Sequence, residues 1–272
     1  MAIKIGIVNQ KGGVGKTTTA ICLTDALTQI GYKVLLVDFD PQGNSSSVFL
    51  AKDSTYTIYD GIIDNKPLKD IVITGNDMGD IIPANSRLTR AYNELVIMKA
   101  AENKLKKALL GIEKNYDVVI IDSSPSANIM MDNVLTAVDG IVIPMEAEEF
   151  SIDGLSSLLK NVSEVQEELN PALKVYGVLL TKYDQDKSVQ KNIKAQFEKL
   201  DESIVHTFKT IIRDSAAIPK TQGFMEIDEP TNISEQKVVN SQGSIYKYGI
   251  NNGALDYSAF AQELLEVIAS GK

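Results

Sequence analysis

Short apolar runs and amphipathic stretches alternate from one end of the chain to the other. Strand-like runs fall at residues 3–8, 34–37, 118–121, 140–144 and 174–180, with weaker ones at 80–83 and 208–212. Between them the apolar positions recur at helical spacing over 16–30, 87–112, 126–137, 151–169, 187–200 and 254–270. The strand runs are nearly continuous in Val, Ile and Leu, as befits strands covered on both faces. Apolar strands separated by helices of this length predict βαβ units. The expected fold is α/β, a mostly parallel twisted sheet with helices on both faces. Residues 51–80 are polar and broken by Gly61, Pro67, Gly75 and Gly79, and are expected to wrap an edge of the sheet. A second irregular stretch, 223–253, carries Pro230, Gly243, Gly249 and Gly253 and reads as a surface excursion before the last helix. With no internal repeat or low-complexity tract, residues 1–272 are expected to form a single domain.

Composition narrows the chemistry. The one cysteine, Cys22, cannot build a disulfide framework or a cysteine metal cluster, and lies where a helix would bury it as a small hydrophobe. The one histidine, His206, excludes a histidine-rich metal site. No apolar run approaches the roughly 20 residues of a membrane span, and the first strand follows the N-terminus without a signal-like stretch, so a cytoplasmic protein is expected. A net charge of −9 argues against a wholly basic nucleic-acid-binding domain but leaves room for a local patch.

The first strand runs into Asn9-Gln10-Lys11-Gly12-Gly13-Val14-Gly15-Lys16-Thr17-Thr18, and a helix follows. The pattern G-x-x-x-x-G-K-[ST] is met except at its first position, where Gln10 stands. Glycines let successive backbone N–H groups turn inward toward phosphate oxygens, and the helix adds its unpaired N–H groups and positive dipole end. Residues 11–18 are thus candidates to cradle the phosphates of ATP, Lys16 to bridge the β- and γ-phosphates, and Thr17 to offer its hydroxyl to Mg²⁺. Two further strands end in carboxylates: residues 34–37 run into Asp38-Phe39-Asp40, and residues 118–121 into Asp122. In an α/β sheet these C-terminal ends face the ligand crevice. That places Asp38 and Asp40 near the metal and the attacking water, and makes Asp122 the acidic end of a Walker B strand.

The extra lysine, Lys11, with the run VLLVDFDPQGNSS and the segment Asp122-Ser123-Ser124-Pro125-Ser126, closely resembles the ParA/MinD superfamily of deviant Walker A ATPases, over most of residues 1–224 and again over 253–268. The stretch at about 225–252 is longer than such relatives usually carry. The resemblance implies that Lys11 crosses a dimer interface to the partner's nucleotide, that Asp38 and Asp122 support Mg²⁺, and that Asp40 positions the hydrolytic water. Lys11, Lys16 and Asp40 are then the catalytic set. Glu146 departs from the Gln common at its place, and its role is open.

Residues also sort the branches. One cysteine excludes the paired-cysteine iron–sulfur branches, and one P-loop excludes the tandem arsenite-pump type. Ten residues before Lys11 leave no room for a helix-turn-helix domain, so the chain resembles the short, Soj-like partition ATPases. Residues 181–223 hold eight basic residues against six acidic ones, and Lys187, Lys191 and Lys194 lie about 200° around a helix from the apolar stripe of Val189, Ile193, Phe197 and Leu200. By the resemblance, these lysines and Arg213 bind DNA through phosphates, without sequence preference. The implied protein is an ATP-driven sandwich dimer on nucleoid DNA, released when a ParB-like centromere-binding protein stimulates slow hydrolysis. The alternative is a MinD-like surface-positioning ATPase acting on membrane or protein cargo. Against a membrane stands the tail helix, whose Asp256, Glu263 and Glu266 anionic lipid would repel and whose Leu255, Phe260, Leu264, Leu265 and Ile268 suit core packing. A third reading is a small-molecule ligase or synthetase on the same fold.

Overall fold

The computed structural model describes residues 1–126, 128–146, 152–184, 186–197, 205–215, 244–248 and 251–271. Most of the 225–252 excursion lies outside them. Among the described residues six strands form one sheet: β1 (Ile3–Ile7), β2 (Val34–Phe39), β3 (Asp80–Ile82), β4 (Val118–Ser123), β5 (Gly140–Glu146) and β6 (Lys174–Thr181). Their order is β3-β2-β4-β1-β5-β6, and every pairing is parallel. The expected α/β sheet is present, and the weak run at 80–83 supplies one of its edges.

Alternation along each strand divides the core into two layers. Ile5, Ile7, Leu36, Ile120 and Val142 face one side, under α1 (Lys16–Gln29) and the C-terminal helix α9 (Asn252–Ala269). Leu35, Val37, Val119, Ile121 and Ile143 face the other. That second layer is covered by α3 (Ile58–Ile62), α4 (Leu88–Val96), α5 (Lys104–Leu109), α6 (Ile129–Ala137) and α7 (Ile152–Glu168). Among the described residues the remaining α-helices are the short α2 (Asn44–Val48) after β2 and α8 (Ser188–Phe197) after β6.

Four expectations change. The helix expected over 87–112 is broken: α4 ends at Val96, Ala100 takes a left-handed φ of 50°, and α5 begins at Lys104. Asn133 on α6 makes the break tolerable, since its side chain accepts from Leu105 N (3.0 Å) and donates to Ala101 O (2.9 Å). It thereby satisfies backbone groups that the helix would otherwise have paired. The segment 51–80 is more ordered than its composition implies. Thr57 and Asp60 form a reciprocal cap on α3, and Ile58, Ile62, Leu68 and Ile71 are buried.

The run at 208–212 is not a regular strand. Residues 205–214 instead lie alongside β6 through isolated parallel bridges, Val178 to Thr207 and Tyr183 to Arg213. Gly177 allows that close approach: its φ is +151°, and a Cβ there would meet His206 and Phe208 at about 3 Å. The inward face of α9 also differs from the expected one, being Tyr257, Phe260, Ala261, Leu264 and Val267, while Leu255 is 51% exposed. Cys22 is fully buried in α1, as expected. Among the described residues, no helix is long and apolar enough to cross a membrane.

Candidate active site

The loop after β1 is fastened from beneath. Asn9 donates to Pro144 O on β5 (2.8 Å), and the Thr181 hydroxyl at the end of β6 lies 3.0 Å from Val14 O and 3.1 Å from Met145 O. Val14 is buried, so the loop's one apolar side chain points into the protein. The glycines turn outward. Gly13 and Gly15 have φ of +80° and +88°, and a Cβ at Gly12 or Gly13 would meet nothing within 4 Å. The backbone is therefore bare toward the cleft where an anion would sit. Lys16 opens α1, nearly buried, with its ammonium on Lys11 O at 2.7 Å. Burial lowers the pKa of that ammonium, and Asp122 and Asp40 work against the shift. The Lys11 side chain itself is exposed at the rim.

The parallel register of β2 and β4 sets Asp38 directly beside Asp122, both with no solvent exposure. Asp38 accepts from Ser46 N (2.8 Å), Ser46 Oγ (2.6 Å) and Asp40 N (3.2 Å). Asp122 accepts from Ser45 Oγ (2.7 Å) and Thr17 Oγ1 (3.3 Å). Burial pushes both carboxyl pKa values up. The neighbouring Asp38 charge adds to the rise at Asp122, while the Ser46 bonds oppose it at Asp38. Asp40, 8% exposed, caps Gln42 N at 2.8 Å on the cleft wall.

Gly12, Gly13, Lys16, Thr17, Asp40 and Lys182 line a cleft of about 300 Å³. Two buried carboxylates against a hydroxyl form a hard-oxygen set suited to a divalent cation, which would offset the repulsion that raises their pKa values. The residues present thus fit a magnesium-bound nucleoside triphosphate.

Sequence reasoning overlooked Ser45, Ser46 and Thr181, whose hydroxyls hold the carboxylates and the loop. Ser45 and Ser46 stood in the run NSS after Gly43, but a serine pair there reads equally well as a turn. Glu146 pairs with Lys182 at 3.2 Å. The residues expected to meet DNA are not all alike. Lys187 and Lys191 are exposed, and Lys194 is half-buried with its ammonium 5.8 Å from the Tyr183 ring. Arg213 is clasped by Asp256 on α9, with Nη2–Oδ1 at 2.7 Å and Nε–Oδ2 at 3.0 Å. It borders a depression of about 280 Å³ that it shares with Asp184, Asp186 and Asp214. That neighbourhood is acidic, and the guanidinium already has a carboxylate partner.

Sheet order, glycine cradle, buried lysine and paired acidic strand ends together define a P-loop nucleoside triphosphatase. The family model described as the AAA domain matches residues 2–175. The sporulation initiation inhibitor protein Soj of Bacillus subtilis is 46% identical over 183 residues, covering 66% of this chain and 72% of Soj. The chromosome partitioning protein ParA of Myxococcus xanthus is 35% identical over 266 residues, covering 96% and 87% of the two chains. The crystal structure of cobyrinic acid a,c-diamide synthase from Mycobacterium smegmatis with bound ATP analogue and magnesium superposes with a TM-score of 0.81 at 27% identity, covering 100% of this chain and 98% of that one. The chain belongs to the ParA/Soj family of partition ATPases.

Proposed function

We propose that the protein is an ATP-switched DNA-segregation ATPase. Residues 11–18 would surround the phosphates of ATP, and Thr17, Asp38 and Asp122 would hold Mg²⁺. Magnesium there would neutralise phosphate charge. Lys16 balances the β- and γ-phosphates, and Asp40 orients the attacking water, a task that asks for position more than basicity. Lys11 is assigned to a second copy's nucleotide across a sandwich dimer. The observation that carries this reading is the division between the two lysines. Lys16 is buried inside its own loop with its ammonium on Lys11 O, whereas Lys11 is exposed at the rim of the cleft. A cation so placed serves an outside anion.

The ATP-bound dimer is assigned to non-specific DNA through Lys187, Lys191 and Lys194, on the nucleoid in the cytoplasm, with a ParB-like partner accelerating hydrolysis. Arg213 is reassigned to holding the β6 edge. A MinD-like membrane role is less well supported, because the apolar face of α9 is spent on the core through Tyr257, Phe260 and Leu264.

The deciding experiment compares wild type, Asp40→Ala and Lys11→Ala for ATP-dependent retention on arbitrary duplex DNA across a salt series. Retention that is salt-sensitive, prolonged in Asp40→Ala and lost in Lys11→Ala is the expected result. No retention by ATP-bound Asp40→Ala would overturn the DNA assignment. ATP turnover that requires an added organic acid or amine would instead favour a synthetase.

A further inference from the structure

A second concavity lies away from the nucleotide cleft, between α3 and α5. At about 460 Å³ it is larger than the cleft itself and within the range of small-molecule sites. Four lysines line it: Lys66 and Lys69 from the segment after α3, and Lys104 and Lys107 from α5. Among the described residues no carboxylate lines it. Among the described residues none of the four lysines is ion-paired, and the Lys66 ammonium rests on the Tyr56 ring at 3.8 Å.

Such a gathering is unusual in a chain of net charge −9. Four like charges around one hollow repel one another, and low-dielectric walls focus their field into it. A bound polyanion would relieve that repulsion. The hollow is not purely ionic, however. Leu68 and Ile112 are buried in its floor, and Leu110 stands at its rim with 65% of its surface exposed. A bare inorganic anion would leave that apolar surface wet. A DNA duplex is far wider than a hollow of about 460 Å³ and would only span its rim. A compact ligand with phosphate at one end and an apolar or planar body at the other would satisfy both parts.

We infer that the α3–α5 cavity is a second anion site, separate from the P-loop cleft, that takes a small phosphate ester with an apolar or aromatic body, of the mononucleotide class. The lysines would hold the phosphate, and Leu110 with the cavity floor would cover the body.

The test uses the full chain saturated with ADP and Mg²⁺, so that the P-loop is filled. 5′-AMP, inorganic phosphate and a short DNA duplex are titrated in turn while the Leu110 and Ala108 methyl resonances are followed. Expected are a saturable shift with AMP at a dissociation constant below about 1 mM, and binding about tenfold tighter than that of phosphate. Lys69→Glu combined with Lys107→Glu should weaken AMP by about tenfold or more and leave ADP affinity unchanged, which also reports that the variant is folded. Lys106→Glu, on α5 but outside the cavity lining, should behave as wild type. Absence of a saturable AMP shift, or an equal shift in the double variant, overturns the site. Phosphate binding as tightly as AMP, or shifts produced by the duplex and not by AMP, overturns the ligand class.

Discussion

At the scale of single residues, Asp122 is the most informative. Its carboxylate is fully buried one hydrogen-bonded strand away from another, with hydroxyls from Ser45 and Thr17 as its partners. Burial, then the charge of Asp38, pushes its pKa from the ordinary 3.8 up to about 8. The folded state therefore holds this proton more tightly than the unfolded chain does. The stability contributed by that proton is present at low pH and is lost as pH rises toward 8. Asp122→Asn, which keeps shape and removes charge, should make the magnesium-free protein more stable than wild type at about pH 8, with the difference shrinking toward about pH 4. Thermal unfolding of both proteins across that range checks it, and equal pH profiles would refute it. At this scale the sequence was a good guide to charge and a poor one to hydroxyls. Asp38, Asp40 and Asp122 announce themselves by ending apolar strands. Ser46 bonds both Asp38 and the backbone of Ala84, yet has no such signature.

At the scale of elements, the C-terminal helix and the β6 edge are joined by carboxylates that the sequence presented as a solvated acidic face. Asp256 grips the Arg213 guanidinium and backbone, and Glu263 accepts from Lys209 N (2.7 Å) and Thr210 N (2.9 Å). Three-dimensional proximity turns two apparent surface charges into anchors for the irregular segment 205–214. Arg213→Ala should cost about 1–3 kcal/mol, because it leaves the Asp256 carboxylate, 11% exposed, without its main partner. Asp256→Asn should cost less, and the double variant should be less destabilised than the sum of the two singles. Chemical denaturation of the four proteins checks this, and full additivity would remove the anchor role. The same variants separate a structural Arg213 from a DNA-contacting one, since a phosphate contact would weaken DNA retention without lowering stability. The broken helix over 87–112 belongs here too. Leu88, Ala91, Leu95, Leu105 and Leu109 keep helical phase across the break, so no local pattern revealed it. Asn133, nearly thirty residues further on, decided it by capturing the freed backbone groups.

At the scale of the whole molecule, the cleft lies at the C-terminal ends of β1, β2 and β4, assembled from residues as distant as Lys16 and Asp122. Its parts carry unrelieved electrostatic tension, a buried ammonium and two buried carboxylates, and a ligand that relieves it should stabilise the fold by mass action. ATP with Mg²⁺ at a hundred times its dissociation constant should add about 2.7 kcal/mol, seen as a higher unfolding temperature, and Lys16→Ala should abolish most of the gain. No shift in wild type would contradict nucleotide binding in the cleft. What the sequence by itself determined was the α/β class, the phosphate loop and the acidic strand ends. Those signals are local, being continuous apolar strands, glycines next to a lysine and a helix, and carboxylates closing strands. The tertiary structure alone decided the strand order, the pairing of Asp38 with Asp122, the hydroxyls that hold them, the engagement of Arg213 by Asp256 and the gathering of four lysines between α3 and α5. Each of these depends on contacts between residues far apart in the chain, for which no short-range pattern exists.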